Sequence, residues 1–163
     1  VKIGIADANI FIDIILLTLL DEFFSLPFEI WTTQSVLLEL KDSQQALLES
    51  FSDNQLLTIQ DEAIDDSLHF SRSLTIADQS ILSLAHSYQV ICLSGDLPVR
   101  KWCNKHQIEV HGILWIFDEL ISNEIITHQD ALVHLTHLMS INDRLPEGDC
   151  LSRLSVWQDT TQK

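Results

Sequence analysis

Cations are scarce in this chain. Nine lysines and arginines stand against 24 aspartates and glutamates in 163 residues, a formal net charge of −15. Phosphate neutralisation dominates affinity for nucleic acids, so this balance excludes broad DNA or RNA binding through a basic face. It leaves room for a metal site that draws phosphate locally, or for a basic protein partner. Glycine (four) and proline (three) are equally sparse, which excludes long flexible linkers and leaves helices and strands with short connections. Cys92, Cys103 and Cys150 are the only cysteines. Their odd number, wide spacing and lack of a Cys-x-x-Cys pair exclude a disulfide framework and argue against a Zn-thiolate site. Free thiols in a reducing compartment follow, with Cys92 packed as a small hydrophobe in its apolar run. Long apolar runs are missing too. Ile10–Leu20 is too short for a bilayer and is interrupted or bounded by Asp13, Asp21 and Glu22, which reads as a buried core helix. With no secretory signal before the first strand, the expected location is the cytoplasm, with no membrane partner.

What is present is a 46% apolar chain long enough for one domain with a core. Pattern and turn residues predict strands at Lys2–Ala6, Phe28–Thr33, Leu56–Gln60, Gln89–Ser94 and Ile108–His111. Helices are predicted at Asn9–Phe24, after Thr33 or Ser35 through Lys41, and at Ser43–Phe51, Asp61–Ser71, Thr75–Ser87, Leu97–His106 and Gly112–Ser122. Two more follow near Thr127–Ser140 and Glu147–Trp157. Strands alternating with helices imply an α/β fold with a central, mostly parallel sheet and helices on both faces. Residues 1–157 read as a single domain, with 1–122 as its core and 123–157 as a C-terminal helical extension. Residues 158–163 are expected to fray.

Four acids fall at related places in this scheme. In an open parallel sheet, ligands bind beyond the carboxyl ends of the strands. Asp7 follows the first strand directly, and Asp96 follows the strand ending at Ser94 after one glycine. Crossover helices start at the same edge, which places Asp78 in the first turn of one helix and Glu39 early in another. Two carboxylates about 4 Å apart repel by about 4 kcal/mol at an effective dielectric near 20. A hard divalent cation, Mg²⁺ or Mn²⁺, resolves that conflict with oxygen ligands alone.

The fragments around these acids carry a resemblance. Ile5-Ala6-Asp7-Ala8-Asn9-Ile10-Phe11-Ile12-Asp13 resembles the opening of a PIN domain. Leu74-Thr75-Ile76-Ala77-Asp78-Gln79-Ser80-Ile81 resembles its central acidic helix, and Val90-Ile91-Cys92-Leu93-Ser94-Gly95-Asp96-Leu97-Pro98-Val99-Arg100 its fourth-acid loop. Glu39 in Val36-Leu37-Leu38-Glu39-Leu40 matches the family's glutamate in position. The resemblance covers nearly all of residues 1–122, in the family's order. It implies a three-layer α/β/α fold and a metal-dependent endoribonuclease that hydrolyses RNA phosphodiesters. Asp7, Glu39, Asp78 and Asp96 would be the catalytic and metal-binding acids, with Asn9 and Ser94 polar supports behind them. It also implies a VapC-type toxin of a toxin–antitoxin pair, with an antitoxin partner and a homodimer among the expected assemblies.

Each residue also has a plainer reading. Asp7 can cap the helix that follows it, Asp78 can form a capping box with Thr75, Glu39 can be a solvated helix residue, and Asp96 a turn residue. Asp13, on an apolar helix, either approaches the site or pairs with a cation or backbone donor. Arg100, Lys101 and Lys105 are either a solvated face or a phosphate-contact strip, to which Arg72 can add. Asp130, His134 and His137 share a helical face without a third strong ligand, so they read as a polar face. The four tryptophans read as core or interface. A PIN-fold protein-interaction module with little or no nuclease activity is the competing function. A phosphoaspartate phosphatase is disfavoured, because Asn9 stands where its second aspartate would be.

Overall fold

The computed structural model describes residues 2–61 and 63–161. Five strands, β1 (Lys2–Ala6), β2 (Phe28–Thr33), β3 (Leu57–Gln60), β4 (Ile91–Leu93) and β5 (Val110–His111), form one sheet in the order β3-β2-β1-β4-β5. All four pairings are parallel, so the sheet is wholly rather than mostly parallel. Sheets of this kind are covered on both faces, which is why their strands read as apolar runs. Ile5, Ala6, Ile30, Cys92 and Leu93 are all buried. Gly4 lets β1 and β4 close up: a Cβ there would lie 2.8 Å from Leu93 Cδ1.

The strand order reverses between β1 and β4. Strands β1, β2 and β3 run to one side, and β4 and β5 to the other. Open α/β sheets bind ligands at the carboxyl ends of such a switch point, and both neighbouring strands here end on predicted acid loops. The class is the expected three-layer α/β/α one. Helices α1 (Ala8–Leu16), α2 (Leu20–Phe24), α3 (Gln34–Leu38), α4 (Asp42–Asp53), α5 (Ile76–Tyr88), α6 (Leu97–Lys105), α7 (Ile113–Ser122), α8 (His128–Ile141) and α9 (Glu147–Thr161) connect and follow the strands.

Four local expectations need correction. The helix predicted over Asn9–Phe24 is two, because Thr18 takes a left-handed conformation (φ 55°). Thr18 N–H bonds to the Ile15 carbonyl and Leu19 N–H to the Ile14 carbonyl, both at 3.0 Å, a Schellman termination built without glycine. It turns Leu17 and Leu19 inward, where both are buried. The helix expected to reach Lys41 stops at Leu38, leaving Glu39 at its C-cap. Thr33, rather than Ser35, caps it by accepting from Val36 N–H at 3.2 Å. Of the helix predicted over Asp61–Ser71, the described residues hold one 3₁₀ turn, Asp66–Leu68, while Glu62 lies outside them. Asp65 accepts from Ser67 N–H and its own N–H bonds Ser83 Oγ, so local side-chain bonds replace the helical ladder. Finally, α9 continues past Trp157 to Thr161, and Gln162 and Lys163 lie outside the described residues.

Two compact units are distinguished. One holds residues 2–12 and 27–113, with the whole sheet and α3 to α6. Its buried residues include Ile5, Ile30, Leu37, Leu48, Ile81, Leu84 and Leu93. The other holds 13–26 and 114–161. There α8 packs on α9, Phe117 lies against Trp157 with centroids 5.9 Å apart, and Arg153 makes a forked pair with Asp118 (2.8 Å from Nη2). No helix among the described residues is long and apolar enough to cross a membrane.

Candidate functional site

Asp7 leaves the end of β1 with its N–H still in the ladder, bonded to the Leu93 carbonyl at 3.1 Å. Its carboxylate is buried. Oδ1 accepts from Ile10 N–H at 2.9 Å, capping α1. Oδ2 accepts a hydrogen bond from the Ser94 hydroxyl. Ser94, fully buried at the end of β4, accepts in turn from Asp96 N–H at 3.1 Å. One hydroxyl therefore fastens the two acid loops together across the switch point.

Burial raises the Asp7 carboxyl from 3.8 to about 6, and the neighbouring Asp78 and Asp96 charges add to the rise. The bonds from Ser94 and Ile10 oppose it. Asp78 lies at the third position of α5, where Oδ2 accepts from Thr75 N–H at 2.9 Å while Thr75 Oγ1 accepts from Asp78 N–H at 3.1 Å. This is the capping box that the spacing allowed. Thr75 also hydrogen-bonds Glu39, whose carboxyl is raised by partial desolvation and by the charge of Asp78. The acids thus form an electrostatic chain, Glu39 to Asp78 to Asp7 to Asp96. Among the described residues, no group of three or more histidine, cysteine or acidic side chains is drawn into metal-holding proximity.

Residues 3–157 match the profile of a PIN domain of the DUF3368 type. The chain belongs to the PIN-domain family. No curated protein matches it.

Not every acid singled out in this PIN domain sits with the others. Asp13 is buried in the second unit, where Asn142 Nδ2 donates to both of its oxygens at 3.2 and 3.3 Å. Its hydrogen-bond partner is thus a side-chain amide, with the Arg144 charge also acting on it. Desolvation raises its carboxyl, and Asn142 and the Arg144 charge lower it. Asp130 closes a capping box with Thr127, which accounts for it without a metal. Asn9 is half-buried at the second position of α1. Arg100 reaches the Ser94 carbonyl with Nη1 at 3.4 Å, beside the acid loops, while Lys101 and Lys105 are exposed on α6. Trp102 and Trp157 are buried. Trp102 stacks on His106, centroids 3.8 Å apart, so neither tryptophan is an open platform.

Two polar features were missed in the sequence. Ser80, buried on α5, shares a 2.7 Å hydrogen bond with Thr33 Oγ1 and donates to the Ala77 carbonyl at 2.6 Å. It ties α5 to the cap of α3, and so Asp78 to the segment bearing Glu39. Its signal was legible: with Ala77, Ile81 and Leu84 it falls on the apolar face of the helix. The second is a thiol pair. Cys92 and Cys103 are buried and hydrogen-bonded, which pushes the Cys92 thiol well up and the Cys103 thiol down. Nothing in their spacing foretells it.

Proposed function

We propose that the chain is a metal-dependent endoribonuclease that hydrolyses RNA phosphodiesters at Asp7, Glu39, Asp78 and Asp96. The observation that carries this reading is the Ser94 bridge, which joins Asp7 to the Asp96 loop at the switch point. The donor set suits Mg²⁺ or Mn²⁺ in kind, being carboxylate oxygen throughout. Burial is the main cause of the raised Asp7 carboxyl, and the Asp78 and Asp96 charges add to it, a like-charge set that a cation would relieve. A bound divalent cation would supply water activation and stabilisation of charge on the phosphoryl oxygen.

The chain's own residues then have distinct tasks. Ser94 orients Asp7 and the Asp96 loop, and Asn9 supports Asp7 from the first turn of α1. Thr75 couples Asp78 to Glu39, and the Thr33–Ser80 pair holds the two helices that carry them. Arg100, Lys101 and Lys105 contact phosphates. The fold family makes a nuclease the first reading, and the assay is direct: single-stranded RNA incubated with and without Mg²⁺ or Mn²⁺, for wild type, Asp7→Asn and Asp78→Asn. Metal-dependent cleavage lost in both variants is expected. Cleavage that survives both substitutions rejects the reading.

The charge of −15 favours one alternative, a PIN domain that engages a basic protein partner and cleaves little. If the chain is a toxin, an antitoxin placing a basic side chain among the acids would inhibit it.

A further inference from the structure

Six large apolar side chains of the sheet-bearing unit are exposed, and the three most exposed are Leu38 (69%), Ile76 (62%) and Leu97 (61%). Each lies within two residues of a candidate acid: Leu38 precedes Glu39, Ile76 stands two before Asp78, and Leu97 follows Asp96. They come from three different helices, α3, α5 and α6. Leu97 follows the carboxyl end of β4, Leu38 ends the short helix that follows β2, and Ile76 opens the helix whose Asp78 acts on Asp7. Their backbone positions thus lie along the sheet edge that carries the acids, and the three helices supply an apolar rim there. On α6 the pattern continues, because Leu97, Lys101 and Lys105 recur at four-residue spacing on one exposed face. An apolar foot at the acids is followed by two cations leading away from them.

We propose that this rim and stripe form the track for single-stranded RNA. Leu38, Ile76 and Leu97 wedge against unstacked bases at the acids, and Lys101 and Lys105, with Arg100, take the phosphates of the departing strand. The inference rests on the ribonuclease reading and deepens it. It answers how a chain of net charge −15 holds a polyanion: bases are neutral, and aliphatic side chains can insert between them in nucleic-acid complexes. A base-paired duplex must first be unstacked at a cost of about a few kcal/mol per step, so the rim favours a single strand. With at most three phosphate contacts, affinity should fall with log salt at a slope no steeper than about −2.

The test is binding of a fluorescent single-stranded RNA to the Asp78→Asn protein by anisotropy, across a salt series. It is repeated with Leu38→Ser, Ile76→Ser and Leu97→Ser combined, and separately with Lys101→Ala and Lys105→Ala. The serine variant should bind at least tenfold more weakly with an unchanged salt slope. The alanine variant should bind more weakly with a flatter slope, and duplex RNA should bind poorly to all. Circular dichroism melting checks that the exposed substitutions leave the fold intact. Unchanged affinity in the serine variant overturns the track, as does a parent that binds no RNA. Loss of affinity for a basic peptide, with RNA binding unaltered, overturns it in favour of a protein-docking face. Cleavage by wild type reports separately on the ribonuclease reading, so a working nuclease with an inert rim sinks the track alone.

Discussion

Replacing Asp7 by asparagine removes a charge that the fold holds at a cost. The Asp7 carboxyl titrates near 6 in the folded chain against an ordinary 3.8, so the folded state binds the extra proton between those values. Stability therefore falls as pH rises from about 4 to about 6, and the full cost of about 3 kcal/mol is present above that window. Asparagine has no such titration. Its Oδ1 still accepts from Ile10 N–H, but its amide meets the Ser94 hydroxyl as a donor. Ser94 then loses an acceptor for its proton, a penalty of about 1 kcal/mol. In EDTA the variant should thus be more stable than wild type by about 2 kcal/mol at pH 8, some 4–8 °C in melting temperature. The order should reverse slightly near pH 4. Adding Mg²⁺ should shift the comparison again, because wild type gains more: at 100 times its Kd the gain is about 2.7 kcal/mol. Urea unfolding at pH 4, 5, 6 and 8 measures all of this. A stability difference that stays flat across the series refutes the reasoning, and so does a variant less stable than wild type at pH 8.

Three further substitutions probe the supports. Ser94→Ala removes the donor to Asp7 and the acceptor for Asp96 N–H, so it should destabilise by about 1–3 kcal/mol and push the Asp7 titration still higher, visible by carboxyl NMR. Asn142→Ala leaves Asp13 buried without its amide partner. The expected loss of about 1–3 kcal/mol at pH 7 should vanish as the pH falls through the carboxylate range and Asp13 protonates, which denaturation at pH 7 and pH 4 would reveal. Gly4→Ala places a methyl 2.8 Å from Leu93 Cδ1, inside a core where Leu93 is fully buried, and chemical unfolding should show a loss of about 1–3 kcal/mol.

Much of this was legible in the residues because the signals were redundant. The five strands are apolar runs bounded by turns or helix caps, and the alternation of strand and helix dictates a parallel sheet. Asp7 and Asp96 could be placed because each follows a strand end at a fixed short spacing. The capping box of Thr75 and Asp78 announced where α5 begins. Breaks without punctuation stayed hidden. Thr18 ends α1 in a conformation usually left to glycine or asparagine, and Leu38 ends α3 with neither glycine nor proline after it. The pairing of Asp13 with Asn142 spans 129 positions and has no local trace. The bond from Ser94 to Asp7 spans 87; only the sheet order brings those loops together.

Calorimetric titration of the metal-free protein with Mn²⁺ at pH 7.5, for wild type and for Asp7→Asn, Glu39→Gln, Asp78→Asn and Asp96→Asn, tests the acidic centre most directly. A saturable site in wild type that weakens at least tenfold in every variant is the predicted result. Absence of saturable binding in wild type, or variants that bind as tightly as it does, would contradict a metal centre built from these four acids.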